Sequence, residues 1–315
     1  MDKKIAQKKL ESLGYPTPRI EKWNIGTNKN CYIVRSENKK FVLKLYPMSK
    51  KRKIQLLIDR LRIINEIKRI TLFPLNKKVI SFDDHCGFIY EFFEGKNYSQ
   101  TKYKNNFKLF GSIVGEFSST AKRISKPSLD SKYLKEEIKL LEWFIPEIKD
   151  KKIFNDNVIE ILQKSKDIAN NELKNFEFPS QIIHGDIHMD NVLYNEKNKS
   201  YLIIDVDGIR NRPRICDIVV IISYSLTKNE KNNEKIIKSI MEGYSSKIKL
   251  TKKEKLHLPF FMIPRKIGEL VFLYSQRNKK ILSEKEFRRF SKSSLDKLKI
   301  IIDQYEYLVK LFKQL

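Results

Sequence analysis

The sequence predicts an α+β chain in which a small β-rich part precedes a larger, mainly helical one. Three features predict it. Alternating apolar residues crowd into the first 93 positions. From residue 94 onward apolar residues recur mostly at three- and four-residue spacing. One hairpin-like stretch, 181–207, interrupts that helical pattern. At 315 residues the chain can bury a sizeable core. No Pro-, Gly- or Ser-rich linker separates 1–93 from 94–315, so the two parts are expected to be lobes of one functional unit.

Residues 1–13 read as a short helix closed by Gly14, with Pro16 beyond. Residues 23–25, 31–35 and 40–46 read as strands. In the last of these Phe41, Leu43 and Leu45 face one side, and Val42, Lys44 and Tyr46 the other. Lys44 is thus a lone cation in an apolar strand, where a lysine is rarely buried unless paired. Residues 51–70 carry a helical stripe that includes Leu57, Leu61 and Ile64, and Pro74 follows it. Strands are expected at 78–82 and 87–93. Helices are expected at 104–119, 131–149 (broken by Pro146), 156–174, 218–226, 232–246, 252–278 and 284–313. Pro259 and Pro264 should start or kink the 252–278 helix.

The stretch 181–207 carries the chemistry. Ile182 and Ile183 lead into His184-Gly185-Asp186, and Asn191 follows five residues after Asp186. A β-type run at 192–194, a polar turn and a second run at 201–204 then deliver Asp205. Phosphoryl transfer from a nucleotide wants this layout. A loop carboxylate must orient a hydroxyl and accept its proton, while an amide oxygen and a second carboxylate hold Mg²⁺ against the phosphates. Asp186 takes the first role, and Asn191 and Asp205 the second. Lys44 is then the lysine that contacts the α- and β-phosphates. A helix acid is expected to pair with it, with Glu66 the choice and Asp59 the runner-up. Gly26-Thr27-Asn28-Lys29-Asn30 occupies the place of a phosphate-covering loop, although it has one glycine and reads equally as a hairpin turn. His184, Asp186 and His188 suit a transition metal less well, because no third His or Cys lies near them.

His184-Gly185-Asp186-Ile187-His188-Met189-Asp190-Asn191, followed by Ile204-Asp205, resembles the aminoglycoside phosphotransferase and choline kinase family. The resemblance implies a protein-kinase-like two-lobe fold, ATP or GTP as donor, Mg²⁺, and a small-molecule hydroxyl as acceptor. Gly185 and Val206-Asp207 stand where protein kinases usually carry Arg and Phe-Gly, which favours the small-molecule branch. By resemblance, Arg212-Pro213-Arg214-Ile215-Cys216-Asp217 ends in a buried Asp that braces the catalytic loop. The hinge between lobes falls at residues 91–95, with backbone groups of Glu91 and Phe93 meeting adenine. The acceptor lies against C-terminal helices, near Phe260 to Glu269, Tyr274 and Arg277. The family also includes spore-coat proteins of unclear catalytic status, so an inactive nucleotide-binding or structural protein is the alternative.

Composition narrows the partners. The net charge is +26, from 64 Lys and Arg against 38 Asp and Glu. The lysines are spread along the chain without repeated basic–aromatic units, which argues against specific nucleic-acid binding. A tail rich in Lys argues against a polycationic acceptor and toward a neutral, zwitterionic or acidic one. Cys31, Cys86 and Cys216 are odd in number and far apart, which fits a reducing cytoplasm. The sequence has no stretch of the length and apolarity a membrane span needs, and no signal-peptide pattern at its start.

Overall fold

The structure, a computed structural model, describes residues 3–22, 31–63, 70–125, 128–130, 133–172 and 178–315. Its described elements begin with α1 (Lys3–Ser12), β1 (Arg19–Lys22), β2 (Cys31–Ser36), β3 (Lys39–Pro47), α2 (Lys51–Ile63), β4 (Ile80–Ser81), β5 (His85–Glu91) and β6 (Lys96–Asn97). Next come α3 (Phe107–Ile124), β7 (Ser128–Asp130), α4 (Tyr133–Asp150), α5 (Asp156–Glu172), β8 (Phe178–Ile183), β9 (Val192–Asn195), β10 (Ser200–Ile203) and β11 (Arg210–Pro213). The chain finishes with α6 (Ile215–Ser225), α7 (Glu230–Ser245), α8 (Lys252–Asn278), α9 (Glu284–Asp303) and α10 (Tyr305–Gln314).

Two compact units result: Met1–Thr101 with Asp190–Asp207, and Lys102–Met189 with Gly208–Leu315. In the first, an antiparallel sheet runs in the order β1-β2-β3-β5-β4. The alternation of β3 sorts its side chains as the sequence predicts. Leu43 and Leu45 join Ala6 and Leu10 of α1, Val34 and Ile89 in one apolar cluster, against which Phe41 packs. Lys44 and Tyr46 fall on the opposite face, where Lys44 is paired in register with Phe88. The strand expected at 23–25 lies outside the described residues, and the observed first strand is Arg19–Lys22. The hairpin β9–β10 belongs to this unit because it is hydrogen-bonded into it. Strand β6 pairs with β9, Ile203 N donates to Ile70 O at 2.9 Å, and Leu72 N donates to Ile203 O at 3.1 Å.

The second unit is mainly helical, with a short sheet in the order β11-β8-β7. Helices α3 and α7 cross closely. A Cβ on Gly243 would stand 1.9 Å from Lys108 O, so no larger residue fits without parting the helices. Two expectations from the prolines and periodicity need correction. Pro146 lies inside α4 and does not break it. Helix α8 contains Pro259 and Pro264, both buried, and ends at neither. Burial of that helix against its neighbours offsets the intrinsic cost of roughly 3 kcal/mol per interior proline. The segment 284–313 is two helices, because the chain turns at Gln304, whose side chain donates to Thr227 O and Lys228 O at 3.2 and 3.1 Å. Among the described residues no helix is long and apolar enough to cross a membrane.

A buried ion pair fixes the start of α8. Glu254 closes a capping box with Thr251 and accepts from Arg214 Nε and a second guanidinium nitrogen, both at 2.5 Å. The two side chains are 1% and 7% exposed, so either charge left alone would be stranded in the core. Glu254→Ala should lower the unfolding free energy by about 3–5 kcal/mol in a urea titration. Adding Arg214→Met should recover part of that loss, and strictly additive effects in the double-mutant cycle would contradict the coupling.

Candidate functional site

The first unit gathers its charged groups around Lys44. The side chain leaves the middle of β3 on the face away from the α1 cluster, and the residue is 6% exposed. An unpaired ammonium would not stay charged at such a depth. Here Nζ donates to Asp205 Oδ1 at 2.7 Å and to Asp207 Oδ1 at 2.9 Å. Burial alone would lower the lysine pKa, but the Asp207 and Asp205 carboxylates outweigh it and hold the value well above the ordinary one. Tyr46, two residues along the same face, donates from Oη to Asp207 Oδ1 at 2.6 Å. Burial first and Asp207 second push this phenol far above its usual range, so it acts as a fixed donor.

The hairpin delivers these carboxylates. Its register sets Ile203 opposite Val192, and Ile204 N donates to Asn191 O at 2.8 Å. Asn191 and Asp205 are thereby held at the same end of one hairpin. Asp205 adopts φ +64°, a left-handed backbone that Asp tolerates better than most residues and that turns the chain sharply after β10. Next to Asn191, Asp190 is exposed. It accepts from Ser99 Oγ through its carboxylate and from Asn97 Nδ2 through its carbonyl.

The second unit holds the loop of Asp186. Gly185 has φ +82°, and a Cβ there would meet only ordinary contacts, so the glycine serves the backbone conformation and not a lack of space. Asp217, in the first turn of α6, accepts from His184 N at 3.0 Å and Gly185 N at 2.7 Å. It is fully buried and braces the loop in the manner the resemblance implies. Burial pushes its carboxyl up to about 6 against the lowering effect of the two N–H groups. His184 is fully buried with its ring edge-on to Phe117, a packed position. Asp186 receives Arg265 of α8, whose Nη2 donates to Oδ1 at 2.5 Å while Nη1 donates to Gly185 O at 3.3 Å. His188 Nε2 stands 3.7 Å from Asp186 Oδ2, and its ring stacks on Tyr224 at 5.2 Å.

Glu269 anchors that arrangement. It accepts from Tyr224 Oη at 2.5 Å, from Lys266 Nζ at 2.9 Å and from Ser294 Oγ at 3.0 Å. Arg265 Nη2 lies 3.1 Å from Glu269 Oε1, the oxygen that also accepts from Tyr224, while Lys266 and Ser294 share Oε2. Lys266 is 1% exposed. Burial draws its ammonium down to about 8 despite Glu269.

Several expected site residues fall elsewhere. Gly26 and Glu66 lie outside the described residues. The runner-up acid Asp59 is exposed and accepts from Gln55 Nε2 at 2.8 Å. Among the described residues the carboxylates on Lys44 come from the hairpin and not from α2. Glu91 ends β5 opposite Phe41, and Phe92 N donates to Lys40 O at 3.2 Å. Phe93 follows, half-buried, with its ring against Gly95. Tyr274 donates to Glu147 at 2.8 Å and Arg277 to Glu284 at 2.6 Å, so both are engaged away from Asp186. Sequence reasoning missed Tyr46 and Tyr224. It named Arg265 and Glu269 as part of a segment without seeing their roles, although their four-residue spacing on one helix was a signal. Among the described residues no three His, Cys, Asp or Glu side chains form a group that could hold a metal ion.

The model of a family described as the phosphotransferase enzyme family matches residues 24–243. No curated protein sequence matches. Among solved structures, the amicoumacin kinase hAmiN in complex with AMP-PNP, Ca²⁺ and Ami is similar at 16% identity and TM-score 0.62, over 94% of this chain and 96% of that one. The spectinomycin phosphotransferase APH(9)-Ia in complex with ADP and spectinomycin is similar at 19% identity and TM-score 0.61, over 95% and 98%. The choline kinase LicA from Streptococcus pneumoniae is similar at 14% identity and TM-score 0.64, over 94% and 98%. At such identities the likeness speaks to the fold.

The brace has a pH signature. Asp217 ordinarily titrates at 3.8 and in the fold at about 6, so between those values the folded chain keeps a proton the unfolded chain has released. Its contribution to stability is complete below about pH 4 and is lost as pH rises through about 6. Urea unfolding of the native chain and of Asp217→Asn, compared from about pH 4 to about pH 7, should give a difference that narrows or reverses in favour of the variant over this window. A difference independent of pH would contradict the assignment.

Proposed function

The chain belongs to the phosphotransferase enzyme family, with a protein-kinase-like α+β fold, and from that premise we propose that it transfers the γ-phosphate of ATP or GTP to a hydroxyl of a small molecule. The observation that carries this reading is the buried Lys44 ammonium, held 2.7 Å from Asp205 and 2.9 Å from Asp207. A lysine so deep, facing two carboxylates of one hairpin, is what binding of a charged phosphate chain requires. Lys44 would bind the α- and β-phosphates. Glu66 is proposed as its helix partner, the loop around Gly26 as the phosphate cover, and the backbone of Glu91 and Phe93 as the adenine edge.

Asn191 and Asp205 fit a divalent metal such as Mg²⁺, which takes few protein oxygens and keeps waters and substrate phosphates as its other ligands. When bound, that ion supplies charge neutralisation at the phosphates. Asp186 accepts the proton of the acceptor hydroxyl as its oxygen bonds to the γ-phosphorus. The bond from phosphorus to the bridging oxygen breaks, and the nucleoside diphosphate leaves with that electron pair. Asp217 holds the loop backbone under Asp186 through the His184 and Gly185 N–H groups. The chain is proposed to act in the cytoplasm.

Mg²⁺-dependent nucleotide turnover against a panel of alcohols, sugars, amino acids and aminoglycosides tests the reading. Asp186→Asn should cut acceptor-stimulated turnover by about 10²–10⁴ while nucleotide still binds. Lys44→Met should cut it by about 10²–10³. Failure of the native chain to bind either ATP or GTP with Mg²⁺ would overturn the roles given to Lys44, Asn191 and Asp205.

A further inference from the structure

We propose that Arg265 is the specificity-determining residue for the acceptor, and that the acceptor is a small alcohol bearing an anionic group, a carboxylate or a phosphate, near its reacting hydroxyl. The inference rests on the phosphotransferase reading above and names the substrate class of that same site. It starts from the contact between Arg265 Nη2 and Asp186 Oδ1 at 2.5 Å. A hydroxyl docked on Asp186 comes within reach of this guanidinium, because both use one carboxylate. Both side chains are open to a ligand, 20% exposed for Arg265 and 37% for Asp186.

The neighbouring charges decide which substituent is welcome. An ammonium group beside the hydroxyl needs a carboxylate that is not already neutralised. Glu269 does not offer one. It is bonded to Lys266, Tyr224 and Ser294, paired with Arg265, and 13% exposed. Asp186 is compensated by Arg265. The His188 and Tyr224 rings complete this wall and carry no negative charge. An ammonium brought here meets a guanidinium that cannot lose its proton, and like charges in contact are strongly disfavoured. A carboxylate or phosphate meets a planar, permanently charged fork of N–H donors, one of which also bonds Gly185 O at 3.3 Å.

The test uses matched acceptors on one three-carbon frame with the full chain, Mg²⁺ and ATP or GTP: glycerate, glycerol 3-phosphate, glycerol and 3-amino-1,2-propanediol. Nucleotide binding is followed separately by displacement of a fluorescent ATP or GTP analogue. The native chain should prefer glycerate or glycerol 3-phosphate over the amine by about tenfold or more in kcat/KM, the scale of one charge-assisted hydrogen bond. Whichever anion is preferred separates carboxylate from phosphate recognition. Arg265→Gln should abolish that preference mainly through acceptor KM, and Arg265→Lys should restore part of it. A role confined to holding Asp186 would lower kcat for all four acceptors alike. Preference for the amine, an unchanged ratio in Arg265→Gln, or no stimulation by either anion in a chain that binds nucleotide would overturn the acceptor class and leave the phosphotransferase reading standing. Loss of nucleotide binding in the native chain would overturn both.

Discussion

A charged lysine cannot be sunk into an apolar sheet unless carboxylates come to meet it, and much of the first unit follows from that requirement at Lys44. Strand β3 must be central, with its other face sealed by α1 and the Leu43–Leu45 cluster. A second piece of structure must then bring acid to the open face, and no acid of β2, β3 or β5 does so. The hairpin β9–β10 supplies it, locked to the segment around Thr71 by paired backbone groups. Tyr46 adds a hydrogen bond to Asp207, which gives the second carboxylate a donor besides Lys44.

The second unit solves a related problem by other means. Its loop carboxylate is held from below by backbone, through Asp217, and from the side by a guanidinium, through Arg265. Arg265 is steadied in turn by Glu269, and Glu269 by Lys266, Tyr224 and Ser294. Positive and negative groups alternate along this chain of contacts. Each charge is therefore partnered, which is the condition for keeping several ionised groups in a half-buried place.

What could be read in advance divides along the range of the interaction. Local pattern exposed the alternation of β3, the hairpin with Asp186, Asn191 and Asp205 at their spacing, and the bounds of α8, which run Lys252–Asn278 as the periodicity predicts. Lys44 stood out because an apolar strand does not explain a cation. Long-range geometry was invisible. The bond from Tyr46 to Asp207 spans 161 positions, and that from Arg265 to Asp186 spans 79. Nothing in the spacing of either residue announces its partner. Pro146 misled for a related reason: its local cost is real, but packing of α4 against the rest of the unit, which the sequence does not display, decides the outcome. Gln304 ends α9 because of acceptors at Thr227 and Lys228, again far away in the chain.

The discontinuity of the first unit also orders its assembly in time. Residues up to Thr101 can emerge from a ribosome and pair their sheet strands early. The carboxylates that neutralise Lys44 belong to residues 205 and 207 and emerge only after residues 102–189 of the helical unit. Until then the ammonium has neither of those acids, and the open face of the sheet stays wet. Closing so long a loop costs entropy before any contact repays it. The nascent sheet is therefore a waiting half-structure, completed only when Asp205 and Asp207 arrive to hold the Lys44 ammonium in place.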